Sequence, residues 1–253
     1  MRDVISAPDR RTDGSGCPNP QKLPGVSSSV GFHDHLAAGW EAKYQRRSFR
    51  SRVARFEGLL ADRELAGMRW LDAGCGTGVF ARMLVQRGCS VLGVDASLAM
   101  VDRAERHPDS TADRLSFQHV ETVERLTFED RSFDGALCSS VLEYLDNPAA
   151  CCQELARVLR PGGLLLVSVP NRRSLIRGVQ TLCFRLSGLM LGTPWFGYLA
   201  HSKHAFSAAQ FDRLLDKTGF RTLRRGSCGA PIGGPAGRWS CVNSLLFWLA
   251  ERQ

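Results

Sequence analysis

Hydrophobic side chains change their spacing several times along this chain, and each change marks an element. Leu36, Trp40, Tyr44, Phe49, Val53, Phe56 and Leu60 recur at three- to four-residue intervals between His33 and Leu60. That is the stripe of two helices or of one bent helix. Met68 to Asp72 is then a short apolar run stopped by glycines, after which Phe80 to Arg87 resumes helical spacing, so the segment reads as strand, loop, helix. The unit repeats with Val91 to Asp95 as a second strand and Ser97 to Arg106 as its helix, Ser97 serving as N-cap. Leu115 to His119, Phe133 to Ser139 and Gly163 to Val169 read as three further strands. The last two flank a helix from Asn147 to Leu159, ended by Arg160-Pro161-Gly162-Gly163, where proline and glycine cannot continue it.

After Asn171 the rhythm breaks. Leu175, Ile176, Val179, Leu182, Cys183 and Leu186 form the apolar stripe of an inserted helix, followed by a Gly/Pro/aromatic stretch to Ala200 that contains Trp195-Phe196-Gly197-Tyr198. Phe206-Ser207 then opens a helix through Thr218 that Gly219 closes. Thr222 to Ser227 and Val242 to Leu249 supply two last strands, joined by a loop from Gly229 to Gly237. Strands alternating with helices at this spacing predict an α/β fold with a mainly parallel sheet covered on both faces. Residues 1–30 are charged, proline-containing and without an apolar run of signal-peptide length, and are expected to be a flexible tail. Residues 31–253 then form one domain, with N-terminal helices over 31–66 and an insert over 172–205. A chain of 253 residues, 43% hydrophobic, can bury one substantial core but not two.

A net charge of +8 and a pI near 9.3 invite a nucleic-acid partner. The arginines are scattered, however, and Lys22, Lys43, Lys203 and Lys217 are the only lysines. A solvated basic surface accounts for the charge, and no nucleic acid is expected. The nine cysteines form no CxxC pair, as expected of reduced thiols in a cytoplasmic protein. The uncharged stretch from Leu186 to Ala200 is shorter than a bilayer span and is interrupted by Gly188, Gly192 and Pro194, so it is not a transmembrane helix.

The strongest chemical signal is Leu71-Asp72-Ala73-Gly74-Cys75-Gly76-Thr77-Gly78, between the first strand and its helix. Glycines there let the backbone approach a ligand at the carboxyl edge of the sheet. Asp95 ends the second strand, from which a carboxylate can reach both hydroxyls of a ribose. A nicotinamide-type GxGxxG would need glycine at position 79, where this chain has Val79. A ligand without phosphates is favoured.

These residues resemble the first motif of the class I S-adenosylmethionine methyltransferases, a strand followed by D-x-G-x-G-x-G. The resemblance extends to Asp95, to Ser132-Phe133-Asp134, to Arg160-Pro161-Gly162-Gly163 and to the late helix from Phe206 to Phe220, and is strong from Arg69 to Pro170. It implies a Rossmann-like, doubly wound, seven-stranded sheet of order 3-2-1-4-5-7-6 with the last strand antiparallel, and S-adenosylmethionine as cofactor. In such enzymes Gly74, Cys75, Gly76 and Gly78 would wrap the methionine part and Asp72 would hold its ammonium group. Asp95 would take the ribose hydroxyls and Ser139 would also face the cofactor. Ala96 and Met100 would lie beside the adenine, unless Met100 is core packing of its own helix. Glu121 or Thr122 would reach the adenine edge, with a solvent-facing role for Glu121 the alternative.

Methyl transfer from a sulfonium is an in-line displacement, so the protein must align the acceptor and, where needed, remove its proton. The segment after the fourth strand, Leu137 to Tyr144, lacks the Asn/Asp-Pro-Pro-aromatic motif of the nucleic-acid amino methylases. The pattern is instead similar to small-molecule methyltransferases of the ubiquinone-biosynthesis type, implying a small-molecule acceptor and O-methylation in a biosynthetic pathway. Where quinone O-methyltransferases carry acidic and histidine metal ligands, Ser140 and Tyr144 stand here and only Glu143 is left, so no metal is expected. His201 and His204 are candidate bases, with capping or lining as their alternative, and Tyr144 is a candidate for orienting the acceptor. The insert, with Arg172, Arg173, Arg177 and Arg185, reads as a lid over the acceptor or as a contact with a membrane surface, the lid being favoured. A protein or RNA methyltransferase and a non-catalytic cofactor binder are the competing functions.

Overall fold

The computed structural model describes residues 29–39, 47–110, 113–191, 197–228 and 243–253. Trp40, Tyr44, Trp195, Phe196, the Gly229–Gly237 connection and the first 28 residues of the expected tail lie outside the described residues. The N-terminal stripe divides into α1 (Ser29–Leu36) and α2 (Arg47–Leu59). The alternating core follows as β1 (Arg69–Ala73), α3 (Val79–Gln86), β2 (Ser90–Asp95), α4 (Leu98–Arg106), β3 (Leu115–His119), β4 (Phe133–Ser139), α5 (Pro148–Val158) and β5 (Leu159–Pro170). The insert is α6 (Leu175–Leu191) and a 3-10 turn over Gly197–Ala200, after which come α7 (Ala208–Lys217), β6 (Phe220–Cys228) and β7 (Leu245–Arg252).

The seven strands lie in the order β3-β2-β1-β4-β5-β7-β6. Neighbours among β1 to β5 are parallel, and β7 runs antiparallel to both β5 and β6. This is the topology that the methyltransferase resemblance implies. Period-two alternation builds a core on each face: Leu165, Val167, Val169, Leu246 and Trp248 point to one, Leu164, Leu166, Leu245, Phe247 and Leu249 to the other. Cys151, Cys152, Leu155 and Val158 of α5 with Phe211 and Leu215 of α7 cover the first face. Phe56 and Leu59 of α2 with Phe80, Ala81, Met83 and Leu84 of α3 cover the second.

Several boundaries differ from the sequence-based reading for local reasons. Ser97 caps α4, its Oγ accepting from the Met100 N–H at 3.2 Å. Asn147 caps α5 in the same way through the Ala150 N–H at 3.2 Å. That helix stops at Val158, because Leu159 is already extended with φ −78° and ψ 143°. The Arg160–Gly163 segment, expected to be a turn before the strand, is instead taken into β5, and the pairing shifts register between Phe133 and Gly135 to absorb it. Similarly β7 begins at Leu245, three residues later than expected, and runs on to Arg252. No helix among the described residues is long and apolar enough to cross a membrane.

Candidate active site

β1 and β2 end side by side, with Ala73 opposite Val94, and the loop leaving β1 folds back over the end of β2. The Gly74 and Cys75 amides both donate to the Val94 carbonyl, at 2.7 and 2.9 Å, and the Gly78 amide donates to the Cys75 carbonyl at 2.9 Å. The Gly76 amide donates to Asp95 Oδ2 at 2.8 Å. Gly74 and Gly78 have φ of 75° and 82°, in the left-handed region that favours glycine. A Cβ on Gly74 would stand 2.2 Å from Val141 Cγ2, and one on Gly78 would stand 2.5 Å from the Phe117 ring. The loop is therefore a thin peptide wall with four amides engaged inside the protein, a poor arrangement for gripping a pyrophosphate. Gly74→Ala is expected to lower the thermal midpoint by about 4 °C or more, since a left-handed alanine costs about 1–2 kcal/mol before the Val141 contact is counted. Scanning calorimetry reads the effect.

Behind this wall Asp72 is completely buried, and neither of its carboxylate oxygens has a hydrogen-bond partner. Burial pushes its carboxyl up to about 7, the Asp95 charge adds to the rise, and the Ala81 amide and Arg82 guanidinium oppose it. A buried, unpaired carboxylate of this kind fits a cationic ligand group. Asp95, at the end of β2, is the second carboxylate at this rim. Its Oδ1 accepts from the Ser97 N–H at 2.9 Å; burial raises its pKa, and the Ser97 and Gly76 amides oppose the rise. Beside it, His119 Nε2 lies 3.2 Å from the Ala96 carbonyl, and Met100 is buried yet belongs to neither core face. These residues fit S-adenosylmethionine, with a carboxylate awaiting the ammonium, a glycine wall along the chain and a second carboxylate at the ribose position.

Two adenine-edge expectations separate. Glu121 is exposed on the loop after β3, next to Val120, whose amide donates to the Asp95 carbonyl at 3.0 Å. Thr122 is half-buried, its Oγ1 accepting from the Glu124 N–H at 3.1 Å. The sequence predicts the N-terminal helices but not that α1 reaches this site, where its Asp34 carboxylate receives the Ser97 hydroxyl and its His33 stands edge-on to Tyr144 with ring centroids 5.0 Å apart. Only the folded chain brings α1 to this point, so no local pattern could have announced it.

The acceptor side is built from the turn after β4. Ser139 and Ser168 hydroxyls lie 3.0 Å apart at the strand ends. Ser140 takes φ 56°, a conformation that L residues seldom adopt, and its Oγ is buried without a partner. The turn packs Val141 on Gly74 and carries Glu143 and Tyr144 into the interior. Glu143 is buried and its Oε2 has no partner. Burial pushes its carboxyl up to about 7, against the opposing effects of its own backbone amide, Arg52 of α2 and Arg177 of α6. Burial also raises the Tyr144 phenol, and the Glu143 charge adds to that rise.

A strap from Tyr198 to Phe206 closes over this turn. Tyr198 Oη donates to Gln180 Oε1 at 2.9 Å, and Arg177 donates to Ser202 Oγ at 2.6 Å. The Lys203 and His204 amides donate to the Glu143 carbonyl, at 2.7 and 3.2 Å, while the Lys203 ammonium pairs with Asp146. The three candidates for acceptor chemistry thus fall into different settings. Tyr144 sits with Glu143; His204 holds its Nε2 3.1 Å from the Leu145 carbonyl and stacks on Phe206. His201 lies in the strap, where burial lowers its pKa. Among the described residues no group of three or more His, Cys, Asp or Glu side chains could hold a metal ion.

The chain belongs to the methyltransferase domain family, which it matches over residues 42–224. It is 30% identical over 236 residues to the ubiquinone biosynthesis O-methyltransferase of Maricaulis maris, with 87% of each chain covered. Among solved structures it resembles an S-adenosylmethionine-dependent methyltransferase of Thermotoga maritima, described as a possible histamine N-methyltransferase, at 20% identity and a TM-score of 0.62 over 87% of this chain and 98% of that one. It also resembles the magnesium protoporphyrin IX methyltransferase of Synechocystis with bound S-adenosylhomocysteine, at 21% identity and a TM-score of 0.59 over 92% of this chain and 91% of that one. The protein is an S-adenosylmethionine-dependent methyltransferase.

Proposed function

We propose that this enzyme methylates a hydroxyl group of a small phenolic acceptor in a biosynthetic pathway. The observation that carries the reading is the closed acceptor side, where the strap and α6 are tied down over Glu143 and Tyr144 through Arg177, Tyr198, Lys203 and His204. A covered turn with two half-buried tyrosines suits a small aromatic molecule better than a polymer. The name of the Maricaulis maris relative supports oxygen as the methylated atom. Much of the surface basicity is also paired locally, as in Arg157 with Glu154 and Asp130, Arg160 with Asp134, Arg221 with Glu251 and Arg224 with Asp62. That leaves little reason for a phosphate backbone to bind.

S-adenosylmethionine supplies a methyl group on a positively charged sulfur, so the protein's tasks are binding, alignment and proton removal. Asp72 neutralises the ammonium, Asp95 takes the ribose hydroxyls and the Gly74–Gly78 wall excludes water along one side. Ala96, Met100, Thr122 and Ser139 line the remainder of the cofactor site in this reading. Tyr144 orients the acceptor, His204 holds the strap and His201 lines its inner face. We read α6 as part of a lid, its Arg177 and Gln180 fastened to the strap. We also place the enzyme in a reducing compartment, in keeping with the seven free cysteines among the described residues.

The test is a screen of phenolic, quinone, polyketide and sugar acceptors with methyl-labelled cofactor. Label is expected on phenolic hydroxyls, at rates insensitive to salt. Transfer only to RNA or protein, with steep loss as salt rises, would overturn the reading.

A further inference from the structure

We infer that Glu143 is the group that takes the proton from the acceptor hydroxyl, in a metal-independent methylation in which Arg52 and Arg177 supply the positive charge beside the developing phenolate. This rests on the phenolic reading above and names the residue that carries its chemistry.

The argument begins with how the side chain is held. Its carbonyl is fixed by two strap amides, and its own turn is wedged against the cofactor loop by Val141 on Gly74. The backbone that carries the carboxylate is therefore fixed at this point. It is nevertheless left with a bare Oε2, although two guanidinium groups act on it from different elements. A structural carboxylate in this setting would be expected to close an ion pair, since an unpaired buried charge is costly. A buried acceptor oxygen left open beside two guanidinium groups is what a general base requires.

The surroundings set the protonation state. The main charged or titratable groups acting on Glu143 among the described residues are Arg52 from α2, Arg177 from α6, Tyr144 from the same turn and Tyr198 from the strap. Burial and the two guanidinium groups oppose one another, leaving the carboxyl at about 7. Burial raises both phenols above their ordinary value, so neither competes as a base. His204 is turned with its Nε2 toward the Leu145 carbonyl and its ring on Phe206, which ties it to the strap.

The step balances without a co-reactant. The acceptor O–H bond breaks and its proton passes to Oε2 of Glu143. The acceptor oxygen forms its bond to the methyl carbon as the sulfur–methyl bond breaks, the electron pair staying on sulfur. The proton then leaves Glu143 for solvent when the strap opens.

The test uses 4-nitrocatechol, whose absorbance reports its own ionisation, bound to the full-length enzyme with S-adenosylhomocysteine present. The wild type is expected to show the bound probe as catecholate at a pH where the free probe is neutral. Glu143→Gln is expected to bind it as the neutral form and to lower kcat for its methylation about 100- to 1,000-fold, with S-adenosylhomocysteine affinity unchanged within about twofold. Glu143→Asp, which keeps a carboxylate, is expected to restore part of the spectral change. The wild-type rate is expected to rise with pH to a plateau, with a midpoint near 7, and to be indifferent to EDTA; in Glu143→Gln that midpoint is lost. A Glu143→Gln enzyme with the wild-type spectrum and pH profile, or a rate abolished by EDTA, would overturn the assignment of the base alone. A wild type that neither binds nor methylates any phenol, while methylating another class of acceptor, would overturn the phenolic reading and this inference with it.

Discussion

Asp72→Asn is expected to raise the thermal midpoint of the cofactor-free enzyme at pH 8 by about 5 °C and to weaken S-adenosylhomocysteine binding about tenfold or more. The two effects have one origin. Burial lifts the folded-state carboxyl from 3.8 to about 7, so the folded protein holds this proton more tightly than the unfolded chain does. Ionisation therefore opposes folding. The cost is absent below about pH 4, grows as the pH rises through both values and is complete above about pH 7. A rise of that size corresponds to about 4 kcal/mol. An asparagine amide still loses hydration when buried, so about half of that is relieved, or about 4–8 °C for a chain of this length. The ligand's ammonium group meanwhile loses its counter-charge. Calorimetry at pH 4 and pH 8, with and without S-adenosylhomocysteine, separates the two: the curves of wild type and variant should converge in acid and diverge in base. Identical midpoints at both pH values would mean that the carboxylate is already paired.

Asp95→Ala should have the largest effect on affinity, about 100-fold or more for S-adenosylhomocysteine by titration calorimetry. Hydrogen bonds to a charged group contribute about 1.5–3 kcal/mol each, and two ribose contacts are removed together. The structure adds a reason beyond lost contacts. Asp95 also receives the Gly76 and Ser97 amides, so alanine releases both the cofactor loop and the first turn of α4. Asp95→Asn keeps an acceptor oxygen and should fall between the two. Full affinity in Asp95→Ala would remove the ribose assignment altogether.

The proposed cofactor half of this site could be read from sequence because its parts are local. Asp72, Gly74, Gly76 and Gly78 sit at fixed offsets from a strand end, and Asp95 sits at the end of the next strand, which parallel pairing brings alongside. The acceptor half could not, because Glu143 is surrounded from α2, α6 and the strap, segments distant in the chain. Arg52 looks like any exposed helix cation until Phe56 and Leu59 of the same helix are seated in the core. The start of β5 was hidden for a different reason. Pro161-Gly162-Gly163 has the composition of a turn, and only pairing of Leu159 with Phe133 shows that the chain stays in the sheet.

The two rims of the sheet are finished differently. At the amino-terminal rim Asp134 receives the Arg69 amide and pairs with Arg160, and Arg157 meets Glu154, Asp130 and two carbonyls. At the opposite rim Asp72, Ser140 and Glu143 keep buried atoms with nothing to bond. Trp70 Nε1 and Arg63 Nε near the amino-terminal rim are unpaired as well, so what sets the carboxyl rim apart is its two buried carboxylates. A ligand that engages those carboxylates should shield the protein from proteases, with protection growing as the logarithm of ligand concentration.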